Sequence, residues 1–450
     1  MKRWSARLAV LVGMLAFVGS VAGPARAEPI LSNPSAGGAA ASQQPQEVNE
    51  AIAKFKSMDF DGALASLKAA VAKNRDLPPA QVIMANLYAQ VNRPVDARMS
   101  LERAVMEEPA DPEAYVILAQ AALQDRRVTE ADLLLTYAKS LLDQFEKSPA
   151  RKKNIQVAAL AGLDAVSEAR GDWGTAKKYL QDWLALDKDN SVAHQRLAGV
   201  LFQQKDPSKA LEELKSAKNV DPKVLTPEAT LAILYENSGD HERATQWMDT
   251  ALKLAPKDFA TQMAASQWAA QTSQFDLAKT YADAALGLKP DALDAKLILG
   301  VIDLLLKDYP SAEKQFESAL VQSPSNFAAS NNLALALCEE PSTDKKTKAL
   351  EYAVMNVRQY PKQAEAFSTL GWVYYKLGRL DEAEQSLQTA ISGGTLSPDT
   401  AFYLAKVLVD RDKPEGKKAA KQLLEAAVKT KALFSMRKDA QALLNSDRLK

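Results

Sequence analysis

The sequence predicts an all-α solenoid of about eleven helix–turn–helix repeats, each of 34 residues, with a capping helix at the C-terminal end. Three columns carry that expectation. Ala210, Ala244, Ala278 and Ala312 are each 34 residues apart, as are Ala217, Ala251, Ala285 and Ala319, and as are Pro222, Pro256, Pro290 and Pro324. Three independent columns with one period are not coincidence. Within a period, two amphipathic stretches flank a short turn. The first has apolar residues at helical spacing, such as Leu197, Ala198 and Leu201 after His194, and the turn often reads Gly-Asp, as at Gly171-Asp172 and Gly239-Asp240. Small residues at 210 and 217 let the two helices approach closely. The proline near the end stops the second helix, because it lacks an N–H and its ring clashes with the preceding turn. Neither helix can bury its stripe alone, so neighbours must stack.

Along the chain, residues 1–27 read as a signal peptide. Lys2, Arg3 and Arg7 precede an apolar run from Leu8 to Ala22, and Ala25-Arg26-Ala27 forms a small-residue cleavage site. That run is shorter than the ~20 residues a membrane span needs, so no transmembrane anchor is expected after cleavage. Residues 28–46, rich in Pro, Ala, Gly, Ser and Gln, read as a flexible linker. Residues 47–145 hold repeats one to three. Residues 146–156 break the period; this polar, basic insertion, interrupted by Ser148-Pro149, is either a loop or an extended first helix. Residues 157–434 hold repeats four to eleven, with starts near 157, 191, 225, 259, 293, 327, 364 and 398. Three extra residues around Pro341-Ser342-Thr343, and three around Pro414-Glu415-Gly416, are expected to lengthen inter-helix turns. Gly393-Gly394 is expected to end a helix. Residues 435–450 form a last helix and tail, with Ser435 as its N-cap.

The chain resembles the tetratricopeptide repeat family over about residues 44–434. The segment 364–397 carries Phe367, Leu370, Gly371, Tyr374, Gly378, Ala383, Leu387 and Ala390 at the family's consensus offsets; 225–258 carries Leu231, Ala232, Tyr235, Gly239, Ala244, Ala251 and Pro256. The resemblance implies a right-handed solenoid whose concave groove holds a protein or peptide partner. It implies no cofactor.

Chemistry is sparse. The two histidines, His194 and His241, are 47 residues apart with no metal-ligand spacing, and both read as structural. Cys338 is the single cysteine and reads as a small packing residue. No nucleophile elbow, phosphate loop or dinucleotide fingerprint is present, and repeats leave no room for a catalytic domain, so no enzyme, metal or cofactor is expected. Lys+Arg and Asp+Glu are both 56, a balance that argues against nucleic acid as a partner. Residues 406–450 are locally basic, with twelve Lys/Arg against six Asp/Glu, which suits an anionic envelope component or a solvated cap.

Numbered from each repeat's start, positions 2, 5, 9, 12 and 13 of the first helix should point away from the second helix, onto the groove. In repeats five to seven they are amide-rich (Gln195, Gln203, Asn237, Gln267, Gln271). From repeat eight they turn apolar and aromatic: Leu297, Val301, Leu304 and Leu305, then Asn331, Leu335 and Cys338, then Ser368, Trp372 and Tyr375, and finally Phe402 and Lys406. These residues are the candidate partner-binding set, with Leu297, Val301, Leu304, Asn331, Leu335, Ser368, Trp372, Tyr375, Phe402 and Lys406 at its centre. An exposed apolar stripe marks an interaction site; tightening of the repeats would instead bury it. The functional expectation is an exported scaffold or adaptor, in the periplasm or at the cell surface, serving envelope assembly or secretion. A second reading is a polysaccharide or cell-wall assembly subunit touching glycan through Trp372 and Tyr375; an enzyme with an unrecognised site is a third.

Overall fold

The computed structural model describes residues 45–392, 396–430, 434 and 436–449. The expected signal peptide, most of the expected linker, Gly393-Gly394 and Ser435 lie outside the described residues. Within them are 23 α-helices and no strand, arranged as eleven consecutive pairs and one terminal helix. The array divides between Ala244 and Thr245 into two compact units.

The N-terminal unit pairs Gln46–Lys56 with Phe60–Lys73, Ala80–Gln90 with Pro94–Glu107, Glu113–Gln124 with Val128–Leu142, Pro149–Arg170 with Trp173–Leu186, and Ser191–Gln203 with Pro207–Val220, then adds Pro227–Asn237. The division falls inside His241–Leu254. The C-terminal unit pairs Phe259–Gln271 with Phe275–Leu288, Leu293–Leu305 with Tyr309–Gln322, Phe327–Glu339 with Thr343–Gln359, Ala364–Lys376 with Leu380–Ser392, and Pro398–Asp410 with Pro414–Lys429. Arg437–Leu444 closes it.

The alanine column runs further than four repeats. Ala63, Ala131, Ala176, Ala210, Ala278, Ala312, Ala349, Ala383 and Ala420 are all fully buried on second helices. One turn later a larger buried side chain follows in most repeats, Leu67, Leu135, Leu180, Leu214, Phe316, Leu387 and Leu424, and a second buried alanine in two, Ala282 and Ala353. The facing position on the first helix stays small. A Cβ on Gly300 would come within 2.7 Å of Phe316, and one on Gly371 within 2.5 Å of Leu387. Glycine thus stands where the partner helix presses closest. The later alanine column is broken by Trp183 and Asn356, both buried; Asn356 Oδ1 accepts from Ser330 Oγ at 2.7 Å.

Helix ends follow from side chains. Asp59, Asp172, Asp206, Asp240 and Asp308 each accept a backbone N–H three residues on and start second helices. Asn190, Asp258, Asn326 and Ser397 do the same for first helices. Pro222, Pro290 and Pro324 each follow the last helical residue by two. Between the paired helices sits one left-handed residue, from Met58 and Asn92 to Lys307 and Asp412, filled by glycine at 171, 239 and 378. In the repeat at 327 that place is Pro341, which cannot adopt positive φ.

Two expectations about irregularities need correction. The extra residues near 341 and 414 do not lengthen turns. Ser342 caps a second helix of 17 residues, and Pro414 opens one of 16, where sister repeats have 14. A serine cap or an N1 proline starts a helix as soon as it can, so added residues extend the helix instead of the turn. The insertion at 146–156 resolves in favour of helix. Ser148-Pro149 does not interrupt it but opens the 22-residue helix Pro149–Arg170, with Pro at its favoured first position.

Candidate partner-binding site

All ten candidate residues lie in the C-terminal unit, but they do not form one exposed stripe. Leu297, Val301, Leu304, Asn331, Leu335, Ser368, Trp372 and Phe402 are buried, with at most 9% of their surface accessible, and Leu297, Val301, Leu304, Leu335, Trp372 and Phe402 share one continuous core. The expectation of an open groove along all of them is therefore corrected. Successive first helices lie close enough for side chains at these positions to interdigitate between repeats. Polar atoms bridge the same seam: Ser368 Oγ lies 2.7 Å from Thr400 Oγ1 of the next repeat. Cys338 belongs to this core, its thiol donating to Leu335 O at 3.2 Å, and burial pushes its pKa up. That is the packing role expected of it.

Trp372, Tyr375, Phe402 and Lys406 are brought together. They line a cavity of about 430 Å³ with Lys307, Tyr309, Glu339 and Lys376, and with Met436, Asp439, Ala442 and Leu443 from the terminal helix. The Trp372 indole stacks on Tyr375 at 4.8 Å (13°) and on Tyr403 at 4.3 Å (16°), and leans on Phe402 at 6.0 Å. Its Nε1 donates to Glu339 Oε1 at 2.7 Å. Lys376 donates to Glu339 Oε2 at 2.7 Å, with its Nζ 4.9 Å from the indole ring. Tyr375 Oη donates to Asp410 Oδ2 at 2.6 Å, and Arg448 reaches Asp410 Oδ1 at 2.7 Å. Burial works to raise the Asp410 pKa, but these two hydrogen bonds and the charges of Lys406 and Arg448 together outweigh it and hold the carboxyl below its ordinary value. Burial raises the phenols of Tyr309 and Tyr375, so both stay neutral donors.

Lys406 Nζ sits 5.8 Å from the Tyr375 ring centroid; among the described residues it forms no ion pair. The cavity thus offers aromatic walls, two acids held by lysines, Glu339 by Lys376 and Asp439 by Lys307, and Lys406. It has the makings of a recognition site, with aromatic faces and charged groups gathered at one place.

Sequence reasoning missed Lys307, Tyr309, Glu339 and Lys376. Glu339 and Lys376 were within reach, since both occupy position 13 of consecutive repeats, an acid and a base on one seam. Lys307 and Tyr309 lie in the inter-helix turn and at the start of a second helix, outside the positions considered. The terminal helix could not be placed from pattern alone. Elsewhere, His194 bonds Glu213 Oε2 at 2.6 Å and Lys188 O at 3.1 Å, and His241 bonds Glu236 at 2.7 Å, the structural roles expected of both.

Tetratricopeptide repeat models match residues 82–141, 168–229, 229–258, 265–327 and 364–392, together somewhat more than half of the chain. A TPR repeat-containing protein of Pseudomonas aeruginosa is 24% identical over 202 residues, 44% of this chain and 34% of that protein; the chain thus spans about a third of the curated relative it matches. Among solved structures, a tetratricopeptide repeat protein from Parabacteroides merdae is 14% identical with a TM-score of 0.46, covering 57% of this chain and 99% of that one. A thermophilic TPR protein of Thermus thermophilus is 19% identical with a TM-score of 0.35, covering 42% of this chain and 97% of that one. With the alanine columns, the paired helices and the family-model matches over more than half of its length, the chain belongs to the tetratricopeptide repeat family.

Proposed function

We propose that this chain is a non-catalytic scaffold that binds a protein or peptide partner at the cavity of its C-terminal unit, between Tyr309 and Lys406. One observation carries the reading. Of ten residues chosen for facing a groove, Trp372, Tyr375, Phe402 and Lys406 converge on one cavity, where the buried Trp372 and Phe402 edge into its wall, while the other six are buried and do not line it. Aromatic walls with a cation at the rim are the composition of interaction hot spots. Export and a role in envelope assembly or secretion belong to the same proposal, supported by the Lys2–Ala27 segment; intact-mass analysis from the source cell should show a chain beginning at Glu28. Among the described residues no helix is long and apolar enough to cross a membrane.

The glycan reading gains nothing from the geometry. Trp372 is buried and already stacks on Tyr375 and Tyr403, so it offers little surface to a sugar ring. A pull-down from native extract tests the scaffold reading. Lys406→Glu should lower partner recovery at least tenfold with an unchanged melting temperature. Trp372→Ala should lower both, since it also removes a core side chain at a cost of about 3–5 kcal/mol. Undiminished recovery with Lys406→Glu would remove the cavity as the site.

A further inference from the structure

The terminal helix does more than cover the last repeat. Arg437–Leu444 reaches from the end of the chain to the turn of the repeat at 293, where Asp439 pairs with Lys307 at 3.1 Å. Ala440 and Leu443 are buried, and Met436 and Leu444 pack half-buried on the shared core of the C-terminal unit. Together these four residues form an apolar stripe at helical spacing, with one carboxylate beside it.

Three features mark this occupant as a poor filling for its seat. An eight-residue helix is marginal in water without its docking surface. The Lys307–Asp439 pair is about half exposed on both sides, and such pairs contribute little. The cavity of about 430 Å³ remains between this helix and the aromatic wall, with the small Ala442 at its lining where a bulky side chain would reach in. The same lining holds Lys406, a cation that acts on Asp410 one turn along its helix but closes no ion pair with an acid of the cavity.

We propose that the seat of the terminal helix is a receptor for a partner's amphipathic helix. That helix would carry an acidic residue where Asp439 sits and a bulky apolar residue where Ala442 sits. The chain's own helix holds the place in cis and is displaced in trans. This proposal rests on the scaffold reading and names the class of partner. Apolar contacts give such a helix its affinity, and Lys307 and Lys406 set its register through the carboxylate.

The test uses the full chain and a fluorescent peptide of its own residues 436–449, read by anisotropy. Wild-type protein should bind it weakly, because the tethered helix competes at high effective concentration. Ala440→Asp in the protein unseats that helix and should tighten peptide binding at least tenfold. Ala442→Leu in the peptide should tighten it further by filling the cavity. Asp439→Lys in the peptide should abolish the gain, and Lys307→Asp in the protein should restore it. Should Ala440→Asp lose helicity, Asp439→Lys in the protein loosens the helix without touching the core and should give a gain of a few fold. No gain in a folded variant, or a gain indifferent to the charge exchange, would overturn the proposal. A failed peptide assay beside a pull-down that still depends on Lys406 would discard the helix class alone; loss of the Lys406 dependence would discard the site itself.

Discussion

At the scale of single residues, burial decides which groups hold the structure and which face solvent. Asp164 is fully buried on the long helix Pro149–Arg170, with Arg196 Nη2 at 2.5 Å and Glu168 nearby. Burial dominates, and Glu168 adds to it against the pull of Arg196, so the carboxyl is pushed up to about 8. Its ordinary value is 3.8, so the folded state holds this proton more tightly than the unfolded chain does. The resulting stability is complete below the ordinary value and is lost as pH rises through about 8. Asp164→Asn should therefore flatten the fall in stability between pH 5 and 8 and leave the protein on the order of 1–3 kcal/mol more stable at pH 8. Arg196 keeps Glu168 and Ala161 O as partners in that variant. Denaturant melts across pH check it, and an unchanged slope would mean that Asp164 stays ionised when folded.

At the scale of helices, the irregular one is informative. Pro149–Arg170 has 22 residues where its sister first helices have 11 to 13, an excess of about two and a half to three turns, and the added turns carry Arg151. That guanidinium bonds Asp111 at 3.0 Å and Glu113 at 2.6 Å, and reaches Leu77 O at 3.2 Å. The insertion thus ties the fourth repeat to loops preceding the second and third. Asp111 is almost fully buried, and without Arg151 it keeps only Lys147 at 3.6 Å and the Glu113 N–H, so its charge is left poorly compensated. Arg151→Ala should cost about 3–5 kcal/mol, measured as a shift in the urea midpoint, whereas Lys152→Ala beside it should cost under ~0.5 kcal/mol. Helix existence, pairing and period were legible in the sequence, because Ala63 to Ala420 repeat one requirement: a small residue where two helices touch. The length of this helix was not legible, since a Ser-Pro pair marks a break or a start equally well and only the charges on neighbouring loops choose. The binding set was half legible for a related reason. Helical angle says that Leu297 and Trp372 leave the partner helix, but not that the next repeat stands close enough to bury them.

At the scale of the whole molecule, each repeat within a unit packs against the repeats beside it, and this should make stability local. Ala278 is fully buried, and its carbonyl accepts from Ser266 Oγ at 2.9 Å across the helix pair. Ala278→Leu overpacks that contact and should cost roughly 1–3 kcal/mol. Amide exchange should accelerate in repeats seven and eight and remain unchanged around Ala383; uniform acceleration over all repeats would contradict a modular array. Function is therefore tested by what touches which surface. The central claim is that a partner docks at the cavity walled by Trp372, Tyr375 and Phe402. The most direct measurement places a photo-crosslinking amino acid at Tyr375, and as a control at Leu133, 69% exposed on a second helix of the N-terminal unit, in the native cell. Mass spectrometry should then find partner peptides joined to position 375 and not to 133. Partner peptides joined to 133 alone, with position 375 joined only to the chain's own residues 436–444, would contradict it.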